Sequence, residues 1–219
     1  MQTRIVFLEA LNKLRHDILT MATMVEEDLG KALIALQHND KELAKTVKAG
    51  DAVINAMQIK IEDEAAILIA TQQPVARDLR ELVTIFKLTS NLERIGDHAV
   101  HLAKAAAKLS GSPLFRSTEH LTRMAQTGKE MIRSGVSAYL NQDAEAARKA
   151  AALDDDIDAE HKLLTEEVLK LMKKRPELVK KAVRLLNTSG FLERLGDHGT
   201  NICEAVIYMV NGTHEELNK

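Results

Sequence analysis

Two nearly identical heptapeptides stand a hundred residues apart in this sequence, LERIGDH at 92–98 and LERLGDH at 192–198. Each copy carries a Glu and an Asp four positions apart. These residues are Glu93, Asp97, Glu193 and Asp197. On a helix, side chains at this spacing share one stripe, so the two carboxylates of a copy face the same way. Such a pair either binds a cation or is simply a solvated part of a helix surface.

A second polar stripe precedes each heptapeptide. In the later half it consists of Asp154, Asp158 and His161, and in the earlier half of Asp51, Asn55 and Gln58. If the helices that carry the stripes lie side by side, their carboxylates repel one another and raise each other's pKa unless a cation neutralises them. Carboxylates alone suit Mg²⁺, Ca²⁺ or Mn²⁺, and an added imidazole admits Fe or Zn.

The neighbours of the acidic pairs have separate roles. Relative to Leu92, the apolar stripe of the helix centres near −40°, whereas the carboxylates lie at about +100° and +140° and therefore off the core. We expect Arg94 and Arg194 to pair with the Asp three residues on. His98 and His198 point elsewhere and suit surface or packing roles. Gly96 and Gly196 each cost a helix interior about 1 kcal/mol, so a neighbouring helix or a bound group should approach there.

These motifs must be positioned by long helices, because apolar residues recur in steps of three and four along most of the chain. In the first helix they are Phe7, Leu11, Leu14, Ile18, Met21, Val25, Leu29, Leu33 and Leu36. Asn39 and Glu42 have the spacing of a capping box for the second helix. Pro74 and Pro176 each end a helix, and Gly, Ser and Pro predict a linker at 109–118.

The order of helices repeats. Residues 35–54 match residues 138–157 at seven of twenty positions, and the heptapeptides match at six of seven. Short loops make consecutive helices antiparallel. The sequence therefore predicts an all-α fold of six long helices in two pseudo-symmetric three-helix bundles, with one repeat at 1–110 and the other at 117–213.

Composition excludes several classes of protein. A net charge of −2 with interspersed charges gives no field for nucleic acid. The single cysteine, Cys203, permits no internal disulfide and suits a buried position in a cytoplasmic protein. No apolar run approaches the length of a membrane span. No glycine-rich nucleotide cradle and no nucleophile with its base can be identified, so we predict that the protein is not an enzyme.

Taken together, these motifs resemble the PhoU family of phosphate-transport accessory proteins. The resemblance covers nearly the whole chain and includes DAVIN at 51–55, ARDLREL at 76–82 and DDDID at 154–158. It implies a dimer of twin three-helix bundles and multinuclear metal clusters on E/D-x-x-x-D motifs. The implied ligands are Asp51, Glu93, Asp97, Asp154, Asp158, Glu193 and Asp197, with Fe, Zn, Mn or Mg as candidate ions. Asn55 departs from the motif, which has Asp at that position.

The resemblance also implies a role. PhoU-like proteins limit phosphate uptake and repress the phosphate-starvation regulon by acting between the phosphate ABC transporter and a sensor histidine kinase. We expect a cytoplasmic homodimer that reaches the membrane only through its partners, the transporter ATPase and the kinase. Two alternatives stay open: a metal-dependent hydrolase or metal-storage bundle that uses the acidic stripes, and a helical scaffold without metal.

Overall fold

The computed structural model describes residues 2–109 and 118–217, which are helical almost throughout and contain no strand. The helices are α1 Gln2–His38, α2 Lys41–Gln72, α3 Ala76–Leu109, α4 Thr118–Asn141, α5 Ala144–Ala151, α6 Asp154–Lys174 and α7 Val179–Asn211. A 3₁₀ turn, Pro176–Leu178, precedes α7. The all-α prediction is confirmed. The predicted linker at 109–118 lies outside the described residues except for its two ends, which belong to α3 and α4.

The helices form two bundles that share one core. In the first, α1, α2 and α3 pack on one another; in the second, α7 packs on α4, α5 and α6, and α3 and α7 pack together between the bundles. The periodic residues predicted for α1 are all buried, and so are Ile54 and Ile61 on α2. None of the described helices is apolar enough over sufficient length to cross a membrane.

The helix ends follow the predicted breakers with one correction. The cap of α2 is Asp40, not Asn39, and its carboxylate accepts the N–H of Leu43 at 2.9 Å. Asn39 instead has a φ of 54°, the left-handed conformation that closes α1. Gln142 and Asp143 repeat this arrangement before α5. α2 ends two residues before Pro74 and α6 two before Pro176, as predicted.

The fifth of the six predicted helices is divided, which the apolar period did not reveal. α2 is continuous, but its counterpart breaks between α5 and α6 at Ala152 and Leu153. There the backbone tightens to three-residue bonds, from the N–H of Leu153 to the carbonyl of Ala150 and from Asp156 to Leu153. α6 thus gains its own N-terminus, where the charges of Asp154 and its two neighbours are favourable.

A partly buried ion pair of the first bundle is hydrogen-bonded to the second bundle. The guanidinium of Arg15 on α1 donates to both carboxylate oxygens of Glu81 on α3, at 2.6 and 2.8 Å. The hydroxyl of Tyr139 on α4 donates to the same carboxylate at 3.4 Å. Nearby, Thr84 donates to the carbonyl of Ala205 at 3.2 Å. These bonds satisfy polar groups that would otherwise be costly in the core and hold α3 in register with α4 and α7.

Candidate functional site

The first carboxylate cluster consists of Asp51 on α2 and of Glu93 and Asp97 on α3. The Glu93 and Asp97 side chains are 17% and 38% exposed, so they lie outside the core, as their angular position predicts. Burial and the neighbouring charge of Asp97 raise the pKa of Asp51 and of Glu93. Oδ1 of Asp51 is buried and has no hydrogen-bond partner in the described structure. The predicted Arg94–Asp97 pair forms at 3.4 Å.

The second carboxylate cluster consists of Asp154 and Asp158 on α6 and of Glu193 and Asp197 on α7. Burial, together with the charges of Asp158, Asp197 and Glu193, raises the pKa of Asp154 to about 6. Burial and the charge of a neighbouring carboxylate also raise the pKa of Glu193 and of Asp197. The predicted convergence of the two stripes is therefore present in this half, where four carboxylates share one electrostatic environment.

The two motif glycines make room for the facing helix. A Cβ atom on Gly196 would overlap Oδ1 of Asp154 and lie 3.2 Å from its Cγ. A Cβ atom on Gly96 would meet Ile54 Cδ1 at 3.4 Å and Asp51 Oδ1 only at 4.0 Å. A neighbouring helix thus approaches both glycines, and in the second bundle the group that approaches is a carboxylate.

The two clusters differ in detail. Thr200 donates its hydroxyl to Oδ2 of Asp154 at 3.1 Å, whereas Val100 occupies the equivalent position on α3. The second cluster also borders a cavity of about 430 Å³, lined in part by Asp154, Asp155, Asp158, Asp197 and Thr200. In the first cluster Asn55 replaces Asp158, and its amide oxygen is buried with no hydrogen-bond partner in the described residues. The second cluster therefore carries more negative charge, and a hydroxyl orients its most buried carboxylate.

The sequence did not reveal a hydrogen bond that joins α6 to α7. Nδ1 of His161 lies 2.5 Å from Oγ of Ser189. The imidazole also partly offsets the effect of burial, which raises the pKa of nearby Glu193. Ser189 is fully buried, so its hydroxyl cannot reach a substrate. His161 therefore extends the second stripe as predicted, and its bond to Ser189 orients it rather than activating a nucleophile.

His98 and His198 meet where α3 crosses α7, with their ring centroids 5.6 Å apart. Nδ1 of His198 bonds Oδ1 of Asn91 at 2.9 Å, and His98 stacks beside Phe191 at 5.8 Å. Burial and two neighbouring imidazoles, His198 and His101, lower the pKa of His98 to about 4. Of the surface and packing roles that the sequence left open, the structure shows packing for both histidines. Cys203 is free and buried, as expected.

Metal binding at the seven predicted residues stays a prediction. Within residues 2–109 and 118–217, no three His, Cys, Asp or Glu side chains are arranged so as to hold a metal ion. The clusters nevertheless fit a hard cation in two respects. The donors are oxygens that repel one another, and the innermost oxygens, Oδ1 of Asp51 and of Asp154, are buried without a partner. A cation would satisfy both.

Comparison with known proteins gives a consistent result. The PhoU domain model matches residues 18–106 and 121–206, which fall inside the two predicted repeats, although the repeat boundaries themselves stay a prediction. The phosphate-specific transport system accessory protein PhoU homolog of Clostridium acetobutylicum is 35% identical over 99% of both chains. A homolog of the same description from Streptococcus pneumoniae serotype 4 is 35% identical over 95% of this chain and 96% of its own.

Solved structures agree with the sequence relatives. PhoU from Pseudomonas aeruginosa superposes with a TM-score of 0.89 at 33% identity, over 94% of this chain and all of that one. The phosphate transport system regulatory protein PhoU from Streptococcus pneumoniae gives 0.90 at 34% identity, over 96% of this chain and all of that one. With duplicated helical bundles, twin heptapeptides and relatives over nearly its full length, the chain belongs to the PhoU family.

Proposed function

We propose that the protein is a regulatory accessory protein of a phosphate transport system, which limits phosphate uptake and keeps the phosphate-starvation regulon off when phosphate is plentiful. The observation that carries this proposal is the clostridial relative, described as an accessory protein of phosphate-specific transport and aligned from end to end. The family resemblance and the absence of a recognisable catalytic constellation in the sequence support a regulator rather than an enzyme.

We further propose that it acts in the cytoplasm as a homodimer and binds the transporter ATPase and a sensor histidine kinase. Long helix surfaces with exposed apolar side chains, such as Val53, Ile59 and Ile67 on α2, suit docking of partner helices. Each carboxylate cluster would bind a divalent or transition-metal cation, such as Mg²⁺, Mn²⁺, Fe or Zn²⁺. The cation would neutralise carboxylate charges that otherwise repel α2 from α3 and α6 from α7. It would thereby fix the helix surfaces to which partners bind.

A starvation reporter tests the proposal in cells that lack their own PhoU. The wild-type gene should restore repression at high phosphate, and the double variant Glu193→Gln with Asp197→Asn should leave the reporter on at unchanged protein level. A matched control changes two exposed carboxylates away from the clusters, Asp63→Asn with Glu166→Gln, and should repress normally. Failure of the wild-type gene to repress would refute the regulatory role.

A second candidate function, metal-dependent hydrolysis, is favoured by one observation: carboxylates line a cavity large enough for a small molecule. This candidate predicts Mn²⁺-dependent release of phosphate from a phosphate ester by the purified protein. Glu193→Ala should abolish that release. We expect no phosphate release from the wild type or from Glu193→Ala. Release by the wild type that is lost in Glu193→Ala would favour the hydrolase over the regulatory proposal.

A further inference from the structure

A short segment after α7, the strap (residues 212–217), closes one side of the cavity at the second carboxylate cluster. Gly212 turns the chain with a φ of 77°. His214 then stacks on Tyr208 with centroids 4.1 Å apart, and the N–H of Leu217 donates to the carboxylate of Glu204 at 2.7 Å. The Leu217 side chain packs on the core and lines the cavity. The strap is therefore fixed at several points and is part of the wall of the site.

The strap also holds a cationic side chain. Arg148 on α5 donates from Nε and Nη2 to the two oxygens of Glu215, at 2.9 and 2.6 Å. Its Nη1 donates to Glu145 at 3.1 Å. Arg148 is the one basic residue among the described residues that line the cavity of the second carboxylate cluster. The guanidinium of Arg148 thus lies beside the second carboxylate cluster, but it is bonded to Glu215, which is not part of that cluster.

This arrangement affects what the carboxylates can bind. A guanidinium forms bidentate hydrogen bonds with a carboxylate that it can reach. Released from Glu215, Arg148 would keep its bond to Glu145, and the aspartates that line the cavity with it would be its other acidic neighbours. A guanidinium paired with them would compete directly with a metal cation for the same oxygens.

We propose that Glu215 is a positioning residue that holds Arg148 away from the second carboxylate cluster, so that the strap sets the cation affinity of that cluster. The inference rests on the cation binding in the proposed function. The first bundle offers an internal comparison, because Lys45 aligns with Arg148 and pairs with Glu42 at 2.7 Å, as Arg148 does with Glu145. Among the described residues of that bundle no strap contact is added to the pair, so only the second cluster should respond.

The test is a Mn²⁺ titration of the full-length protein, followed by paramagnetic broadening of backbone amides. Broadening at Thr200 reports the second cluster, and broadening at Val100 reports the first. In Glu215→Gln the apparent affinity at Thr200 should fall roughly three- to tenfold, the size expected when a part-exposed ion pair competes with the cation. The affinity at Val100 should not change.

Two variants separate competition from loss of the strap. In Arg148→Gln with Glu215→Gln the competing charge is gone, so the affinity at Thr200 should return to the wild-type value or exceed it, although the strap has lost the same bond. Glu145→Gln removes the other partner of Arg148 and should leave the affinity unchanged. An unchanged affinity in Glu215→Gln, or no recovery in the double variant, overturns the inference. No broadening in the wild type overturns the cation sites themselves.

Discussion

Replacing Asp154 with Asn should stabilise the metal-free protein at neutral pH. The Asp154 carboxylate is partly buried and packs against Gly196. One of its oxygens accepts a hydrogen bond from Thr200, and the other has no partner in the described structure. Its pKa is about 6, against an ordinary value of 3.8. The folded protein therefore binds the proton more tightly than the unfolded chain, and the ionised group costs stability as pH rises between those two values.

The magnitude follows from that difference. At about 1.4 kcal/mol for each tenfold change in proton affinity, a pKa of about 6 instead of 3.8 corresponds to about 3 kcal/mol. Because the carboxylate keeps some contact with water, we expect about half of this, or 1–2 kcal/mol, at pH 7.5. The amide of Asn still accepts the bond from Thr200. At pH 5 the wild-type group is largely protonated in the folded state, and the gain should be about half as large.

The assay is urea unfolding in the presence of EDTA at both pH values, since the linear dependence on urea yields the free energy of unfolding. The control is Asp155→Asn, an exposed neighbour in the same first turn of α6. It loses the same interaction with the helix dipole but no buried charge, and should change the free energy by less than about 0.5 kcal/mol.

A loss of stability in Asp154→Asn at pH 7.5 would refute this reasoning, and so would a gain that does not depend on pH. With Mn²⁺ in place of EDTA, the order should reverse, because a bound cation stabilises the wild type by mass action and the Asn variant has lost a ligand.

Three further results are expected. Gly196→Ala should lower Mn²⁺ affinity at the second cluster about 10–100-fold by displacing Asp154, whereas Gly96→Ala should leave the first cluster intact and stabilise α3 by up to about 1 kcal/mol. Glu81→Gln should lower the free energy of unfolding by about 2–4 kcal/mol, since it leaves the half-buried guanidinium of Arg15 without a counter-charge. The thiol of Cys203, whose pKa burial raises to about 12, should resist thiol reagents until the protein unfolds.

Each of these has a clear contrary outcome. Calorimetry that shows no loss of Mn²⁺ affinity at the second cluster in Gly196→Ala would show that Gly196 does not position the Asp154 carboxylate. A urea midpoint unchanged by Glu81→Gln would show that the bond between Glu81 and Arg15 does not stabilise the fold. Labelling of Cys203 in native buffer, at a rate like that of an unfolded peptide, would contradict its burial.

Much of the fold could be predicted from local sequence. Apolar residues in steps of three and four define a helix wherever tertiary packing does not override them, and Pro74 and Pro176 end helices because they lack an N–H. The cap of α2 was misplaced by one residue because Asn39 and Asp40 are both good cap residues. Only the backbone conformation shows that Asn39 takes the left-handed position and leaves the cap to Asp40.

The contents of the site were predicted only in part. The acidic stripes could be found because their spacing places them on one helix face, and the glycines indicated a close approach. The hydroxyl of Thr200, the bond between His161 and Ser189, and the pair of Arg148 with Glu215 all join different elements. Their partners are 28 to 67 positions apart in the chain, so no local pattern connects them.

The most direct test of the carboxylate clusters is native mass spectrometry of the protein with increasing Mn²⁺. We expect two separate stages of cation uptake. The earlier stage should disappear in Glu193→Gln with Asp197→Asn, and the later one in Glu93→Gln with Asp97→Asn. Absence of uptake by the wild type, or uptake that persists in both variants, would contradict the assignment of the clusters as cation sites.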